Sequence, residues 1–142
     1  MADKTPITVE TTVNAPVGKV WTYWTAPEHV MQWNSASDDW HTPKATNDLC
    51  EGGSFTSRME AKDGSMGFDF GGTYTQVTEH THIAYTMGDG RKVSVDFREQ
   101  DGRTHVAERF DPESENSPEM QRQGWQAILD NFKAYVEARA RS

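Results

Sequence analysis

Glu108 is the residue whose type and placement point most directly to chemistry. It shares parity with Val106 and Phe110, so strand alternation aims its carboxyl inward. A carboxyl taken out of water either finds a cation or shifts toward its neutral form. The expected outcome is a structural ion pair with an arginine, or a local bulge that turns the side chain outward. The alternative is a contact with a ligand hydroxyl, or work as a general acid or base. No other residue is a candidate for catalysis. Tyr74 and Tyr85 sit on apolar strand faces. They are expected as core rings with satisfied or wetted hydroxyls, and alternatively as readers of a polar ligand group. His80 and His82 are two apart, which suits a turn; two ligands do not make a tetrahedral metal site. Cys50 has no base near it in sequence, and no glycine spacing matches a phosphate-binding loop. No metal and no cofactor is expected.

These residues need elements to hold them. The longest is Pro118 to Arg139, where Trp125, Ile128, Leu129, Phe132, Tyr135 and Val136 form one stripe of a 3.6-residue period. Gln126, Asp130, Lys133 and Glu137 read as its polar back. Ser117 suits the N-cap, Pro118 the first helical position and Glu119 the positive end of the dipole, with Arg139 and Arg141 at the other end. Gly124 costs the helix about 1 kcal/mol relative to alanine. Close packing against the sheet or the short helices is the expected reason, with a gated cavity mouth as the alternative.

The remainder reads as sheet. Ile7, Val9, Thr11 and Val13 alternate with polar residues. Asn14-Ala15-Pro16 then opens a short helix through Val20, Trp21 and Trp24, and Pro27 opens a second through Trp33. Pro43 marks an edge strand within Trp40 to Asp48. Asp63-Gly64, Asp89-Gly90 and Asp101-Gly102 are hairpin signals between alternating runs. Gly71-Gly72 interrupts a long strand, where a bulge would curve the sheet. Asp38-Asp39 and Glu113 to Glu115 read as solvated loop charge. Trp33 and Trp40 flank a polar loop and suit an entrance, whereas Trp21 and Trp24 suit a core.

Composition bounds the rest. The 142 residues fit one domain, with 35% hydrophobic and 11% aromatic residues, enough to exclude disorder. A net charge of −8 argues against nucleic acid and anionic membranes as partners. No apolar run approaches membrane-spanning length, so no membrane insertion is expected. A single cysteine allows no internal disulfide, and cytoplasmic residence follows as the expectation.

The segments Asn14-Ala15-Pro16 through Trp21 and Thr25-Ala26-Pro27-Glu28-His29 through Trp33 resemble the opening of Aha-type proteins. Further along, Gly52-Gly53, the stretch Met59 to Gly72, the hairpin strands, and Gly124-Trp125 opening the final helix resemble the same family. Aha-type proteins are homologues of the activator of the 90-kDa heat-shock-protein ATPase, within the START-like (polyketide cyclase) superfamily. The resemblance implies an α+β helix-grip fold. In that fold a curved antiparallel sheet of six to seven strands wraps a long C-terminal helix, and two short helices follow the first strand.

It also implies a container for a hydrophobic small molecule or lipid. The expected walls are Phe55, Phe68, Phe70, Tyr74, Tyr85, Phe97, Glu108, Trp125, Leu129 and Phe132. Chaperone association or self-association ranks second, and an enzyme of the cyclase or hydrolase kind third.

Overall fold

A computed structural model describes residues 6–35, 39–88, 90–113 and 116–140. Asp38, Asp89, Glu115 and Arg141, read above as loop, turn and helix-end charges, lie outside them.

The elements run β1 (Ile7–Val13), α1 (Val17–Thr25), α2 (Pro27–Trp33) and β2 (Trp40–Asn47). Then follow β3 (Ser54–Ala61), β4 (Gly67–Thr78), β5 (His82–Met87), β6 (Lys92–Gln100), β7 (Arg103–Phe110) and α3 (Pro118–Ala140). Seven antiparallel strands form one sheet in the order β1-β7-β6-β5-β4-β3-β2. With the long final helix against its concave side, this is the α+β helix-grip architecture. The hairpins follow turn chemistry. Asp101 and Gly102 both adopt positive φ, 56° and 78°, as the tight primed turn between β6 and β7 requires.

The strands alternate as their sequences dictate. Val9 and Val13 of β1, Val93, Val95 and Phe97 of β6, and Val106 and Phe110 of β7 are buried on one face. Edge strand β2 carries Pro43 and a register shift between His41 and Lys44. The bulge in β4 falls between Tyr74 and Gln76, not at Gly71-Gly72. The glycine pair stays in register with both neighbours, opposite Thr56, Phe55 and Met87. Its reason is close approach. A Cβ on Gly71 would run into the Phe55 carbonyl oxygen, and one on Gly72 would lie 2.7 Å from the Thr86 oxygen.

Helix α3 begins as its sequence suggests: the Met120 N–H donates to Ser117 Oγ at 3.2 Å. Helix α1 takes its cap from elsewhere, with the Val17 N–H donating to Glu99 Oε1 at 2.8 Å. The polar side of α3 is not simply solvated. Gln126 Nε2 donates to the Glu10 carbonyl (3.2 Å) and Lys133 Nζ to the Thr12 carbonyl (2.7 Å), while Glu137 Oε2 accepts from the Asn14 N–H (2.8 Å). These are the outward-facing backbone groups of β1 and the residue beyond it, so α3 closes that sheet edge.

The apolar stripe of α3 divides. Leu129, Phe132 and Val136 are fully buried, whereas Trp125 and Ile128 are half-buried. The indoles of Trp24 and Trp33 pack on Phe132 at 4.9 and 4.8 Å between centroids, filling that part of the groove. The rest of the groove is not filled.

Gly124 departs from expectation. A Cβ built there meets no atom within 4 Å, so no close packing requires glycine. Gly124→Ala is therefore expected to stabilise the protein by about 0.5–1 kcal/mol, read as a higher urea midpoint. Gly71→Ala in the same assay should lower the midpoint. A Gly124→Ala variant less stable than the parent would mean that the turn needs its glycine.

Candidate functional site

Between α3 and the middle strands lies a partly open cavity of about 350 Å³. Its walls follow from the elements. The sheet contributes Phe55, Ser57 and Met59 from β3, Phe68, Phe70 and Tyr74 from β4, Ile83 and Tyr85 from β5, and Glu108 from β7. Helix α3 contributes Gln121, Trp125 and Ile128, and the short helices contribute Trp24, Val30 and Trp33. Arg91, Glu113 and Asn116 add polar groups, and Phe68 is 49% exposed.

The rings pack edge to face around this space. Phe55 meets Tyr85 at 4.7 Å and 81°, and Phe70 meets Trp125 at 6.0 Å and 76°. Trp125 itself lies flat on Phe110, 4.0 Å apart and 8° from parallel. That stack fixes the indole at the junction of α3 and β7.

Seven of the ten expected wall residues therefore surround one hollow: Phe55, Phe68, Phe70, Tyr74, Tyr85, Glu108 and Trp125. Phe97, Leu129 and Phe132 do not line it. They lie in the solid half of the groove, where Phe97 packs on Trp21 and Trp24 and Phe132 on Trp24 and Trp33. Trp24, expected in the core, reaches both the core and the cavity wall. Trp33 lines the cavity but is buried, its Nε1 donating to the Tyr23 carbonyl at 2.8 Å. Trp40 is not a wall residue and packs on Phe68 at 5.8 Å.

Sequence reasoning missed Asn47 because the β2 pattern is weak. Asn47 Nδ2 donates to the Thr25 carbonyl and its Oδ1 accepts from the Tyr74 hydroxyl, both at 2.6 Å. It thus ties the α1–α2 junction to the sheet. Gln121 was missed as an ordinary helix polar residue. Its amide donates to the Glu113 and Asn116 carbonyls and accepts from the Glu113 N–H, pinning the chain before α3.

Glu108 is the unusual member. Register is unbroken from Val9 through Glu108 to Val95, so no bulge turns it outward. Only 6% of the residue is exposed, and among the described residues its carboxyl has no ion pair or hydrogen-bond partner. Among the described residues no buried polar side-chain atom is sealed off without a partner, so its oxygens open onto the cavity. Burial pushes its pKa from 4.5 up to about 8. Tyr85 is likewise 6% exposed, and its hydroxyl has no partner among the described residues. Its pKa is raised, first by burial and then by the charge of ionised Glu108 and by Tyr74, with Arg91 opposing. Burial also raises Tyr74, against its bond to Asn47.

His80 stands in a turn at φ 65°, and the His82 ring bonds Asp96 Oδ1 at 2.6 Å on the outer side of the sheet. Among the described residues no group of three or more His, Cys, Asp or Glu is placed to hold a metal ion. No described helix is long and apolar enough to cross a membrane.

The model of the family described as "Activator of Hsp90 ATPase homolog 1-like protein" matches residues 14–137. The chain belongs to this family. The AHSA1-like protein from Aeromonas hydrophila, solved by NMR in solution, is 46% identical. The match covers 97% of this chain and 96% of that one, with a TM-score of 0.91. A protein from Cytophaga hutchinsonii, also solved in solution, is 54% identical over 95% and 94% of the two chains, with a TM-score of 0.81. A crystal structure from Nitrosomonas europaea shares the fold at 15% identity, with a TM-score of 0.82 over both whole chains. No curated protein matches. The expected family and its START-like helix-grip fold are thus both found.

The raised pKa of Glu108 carries a stability consequence. The folded state holds this proton more tightly than the unfolded chain does. Stability from Glu108 is therefore complete below about pH 4.5 and is lost as pH climbs to about 8. Each pH unit in that window costs about 1.4 kcal/mol. Glu108→Gln should raise stability at neutral pH by roughly 2–3 kcal/mol and by much less near pH 4.5. Urea melts of both proteins across this range check it, and parallel pH profiles would contradict it.

Proposed function

We propose that this family member binds an apolar small molecule or lipid-like ligand in the cavity between α3 and the sheet. The observation that carries this is the hollow itself. It has about 350 Å³ walled by aromatic rings, with two buried polar groups that have no partner among the described residues. Small-molecule sites share this size and build: apolar walls with a few placed polar groups. Membership of a START-like family, in which ligand binding is common, supports the same reading. On this proposal Phe55, Phe70, Tyr74 and Trp125 grip the apolar body, and Tyr85 and Glu108 discriminate. The protein acts in the cytoplasm and as one domain.

The family's name favours a second reading, association with a chaperone. Exposed Met66, Phe68 and Met120 are apolar groups such contact would use. Capture of a 90-kDa chaperone by Phe68→Ser as efficiently as by the parent would remove that surface from consideration.

Ligand binding is tested by native mass spectrometry of freshly purified protein and by thermal shift with a panel of lipids and apolar ring compounds. A ligand at a hundred times its dissociation constant adds about 2.7 kcal/mol, or about 8 °C for a chain of this size. A saturating panel that leaves the melting point unmoved, with no retained mass, would remove the proposal.

A further inference from the structure

The cavity wall carries two polar groups that have no partner among the described residues, Tyr85 on β5 and Glu108 on β7. Tyr85 pairs through Val93 with Phe110, and Ile83 through Val95 with Glu108. The two side chains therefore share a face, two strands and two residues apart, with roughly 12 Å between Cα atoms on flat-sheet spacing. The concave curl tips such long side chains toward each other. They do not hydrogen-bond to one another, so each keeps its O–H for a third group.

On the ligand-binding reading, we propose that Tyr85 and Glu108 donate two hydrogen bonds to one carbonyl oxygen, and that the ligand class is an apolar ketone or related carbonyl compound. Burial keeps Glu108 protonated up to about pH 8, so at neutral pH the carboxyl is a donor as well as an acceptor. The Tyr85 phenol also stays protonated. Two donors without partners in an apolar wall are costly to leave unmade, and a carbonyl oxygen has two lone pairs to accept them.

The neighbours argue against a cationic ligand. Asn47, one of several wall amides and the one bonded to Tyr74, is committed at both ends. Arg91 places a positive charge within range of Tyr85. The other titratable groups of the lining are Tyr74 from β4 and Glu113 from the chain after β7. Helix α3 presents the uncharged Gln121, Trp125 and Ile128, while β1 and β6 set Val9 and Val95 beside Glu108.

The test compares 2-acetylnaphthalene with 2-ethylnaphthalene, which has the same shape without the oxygen, by calorimetry on the whole chain. At about pH 6 the ketone should bind about tenfold more tightly. That preference should collapse in the Tyr85→Phe, Glu108→Met double variant. In the parent it should also fade at about pH 9, where Glu108 is ionised. Glu108→Gln keeps an N–H donor, so its preference should stay level between the two pH values. The infrared carbonyl stretch of the bound ketone should move to lower wavenumber, and move less in the double variant.

Equal affinity for ketone and hydrocarbon would overturn the donor pair while leaving the cavity as a binding site. Tighter binding of 1-(2-naphthyl)ethylamine than of the ketone at about pH 6 would overturn it in favour of a cation. If neither naphthalene binds, this inference falls, while the ligand-binding reading is decided by the lipid and ring-compound panel. The pH comparison on the parent protein decides the matter even if the double variant does not fold.

Discussion

The structure depends on how α3 is held. A long amphipathic helix laid flat across a sheet would press its stripe into the middle strands and leave little space. Here its backbone runs closest to β1 and the short helices. Gln126, Lys133 and Glu137 fasten it to the outward backbone groups of Glu10, Thr12 and Asn14. Those groups would otherwise be an open sheet edge, the template for unwanted strand pairing. One set of polar contacts thus protects β1 and sets the helix at the side of the sheet. The middle strands are reached by side chains such as Trp125, and the remaining space is the cavity.

The short helices set how much of that space survives. Trp24 and Trp33 drive into one half of the groove and pack on Phe132, converting it to solid core. The α1–α2 junction is in turn tied to the sheet through Asn47 and Tyr74. The other half is closed by smaller means. Trp125 stacks on Phe110, and the Gln121 amide gathers the chain entering α3. A groove solid at one end and aromatic-walled at the other has a definite shape, as a selective site needs.

Much of this was legible in the chain. Period-2 runs, hairpin dipeptides and the stripe of α3 gave the element order, and parity alone placed Glu108 inward. Three features were not legible, each because it depends on contacts distant in sequence. Strand curl decides which residues of one face meet solid core and which meet space, so Phe97, Leu129 and Phe132 could not be separated from Trp125 by pattern. The partner of an inward carboxylate is chosen by neighbouring strands, and among the described residues no arginine pairs with Glu108, whose register neighbours on β1 and β6 are Val9 and Val95. Glycine signals a demand without naming it. At Gly71 the demand is a neighbouring carbonyl, and at Gly124 no side-chain clash exists at all.

Two costs meet at one place in the molecule. An unfilled hollow forfeits packing at roughly 24 cal/mol per Å³ where nothing replaces the lost contacts, which makes this one a liability of several kcal/mol before water enters. A buried, unpaired carboxyl adds its own desolvation penalty. Either cost could be relieved by a single ordinary substitution: a larger residue at Ser57, or an apolar one at Glu108. Departures from good packing and polar pairing that coincide in space are what the proposed ligand site would require. The rest of the core is well packed, since Val9, Val13, Val95, Val106 and Phe132 are sealed and among the described residues no buried side-chain polar atom is stranded. The fold spends its imperfection where a guest with an apolar body and a hydrogen-bonding head would repair it.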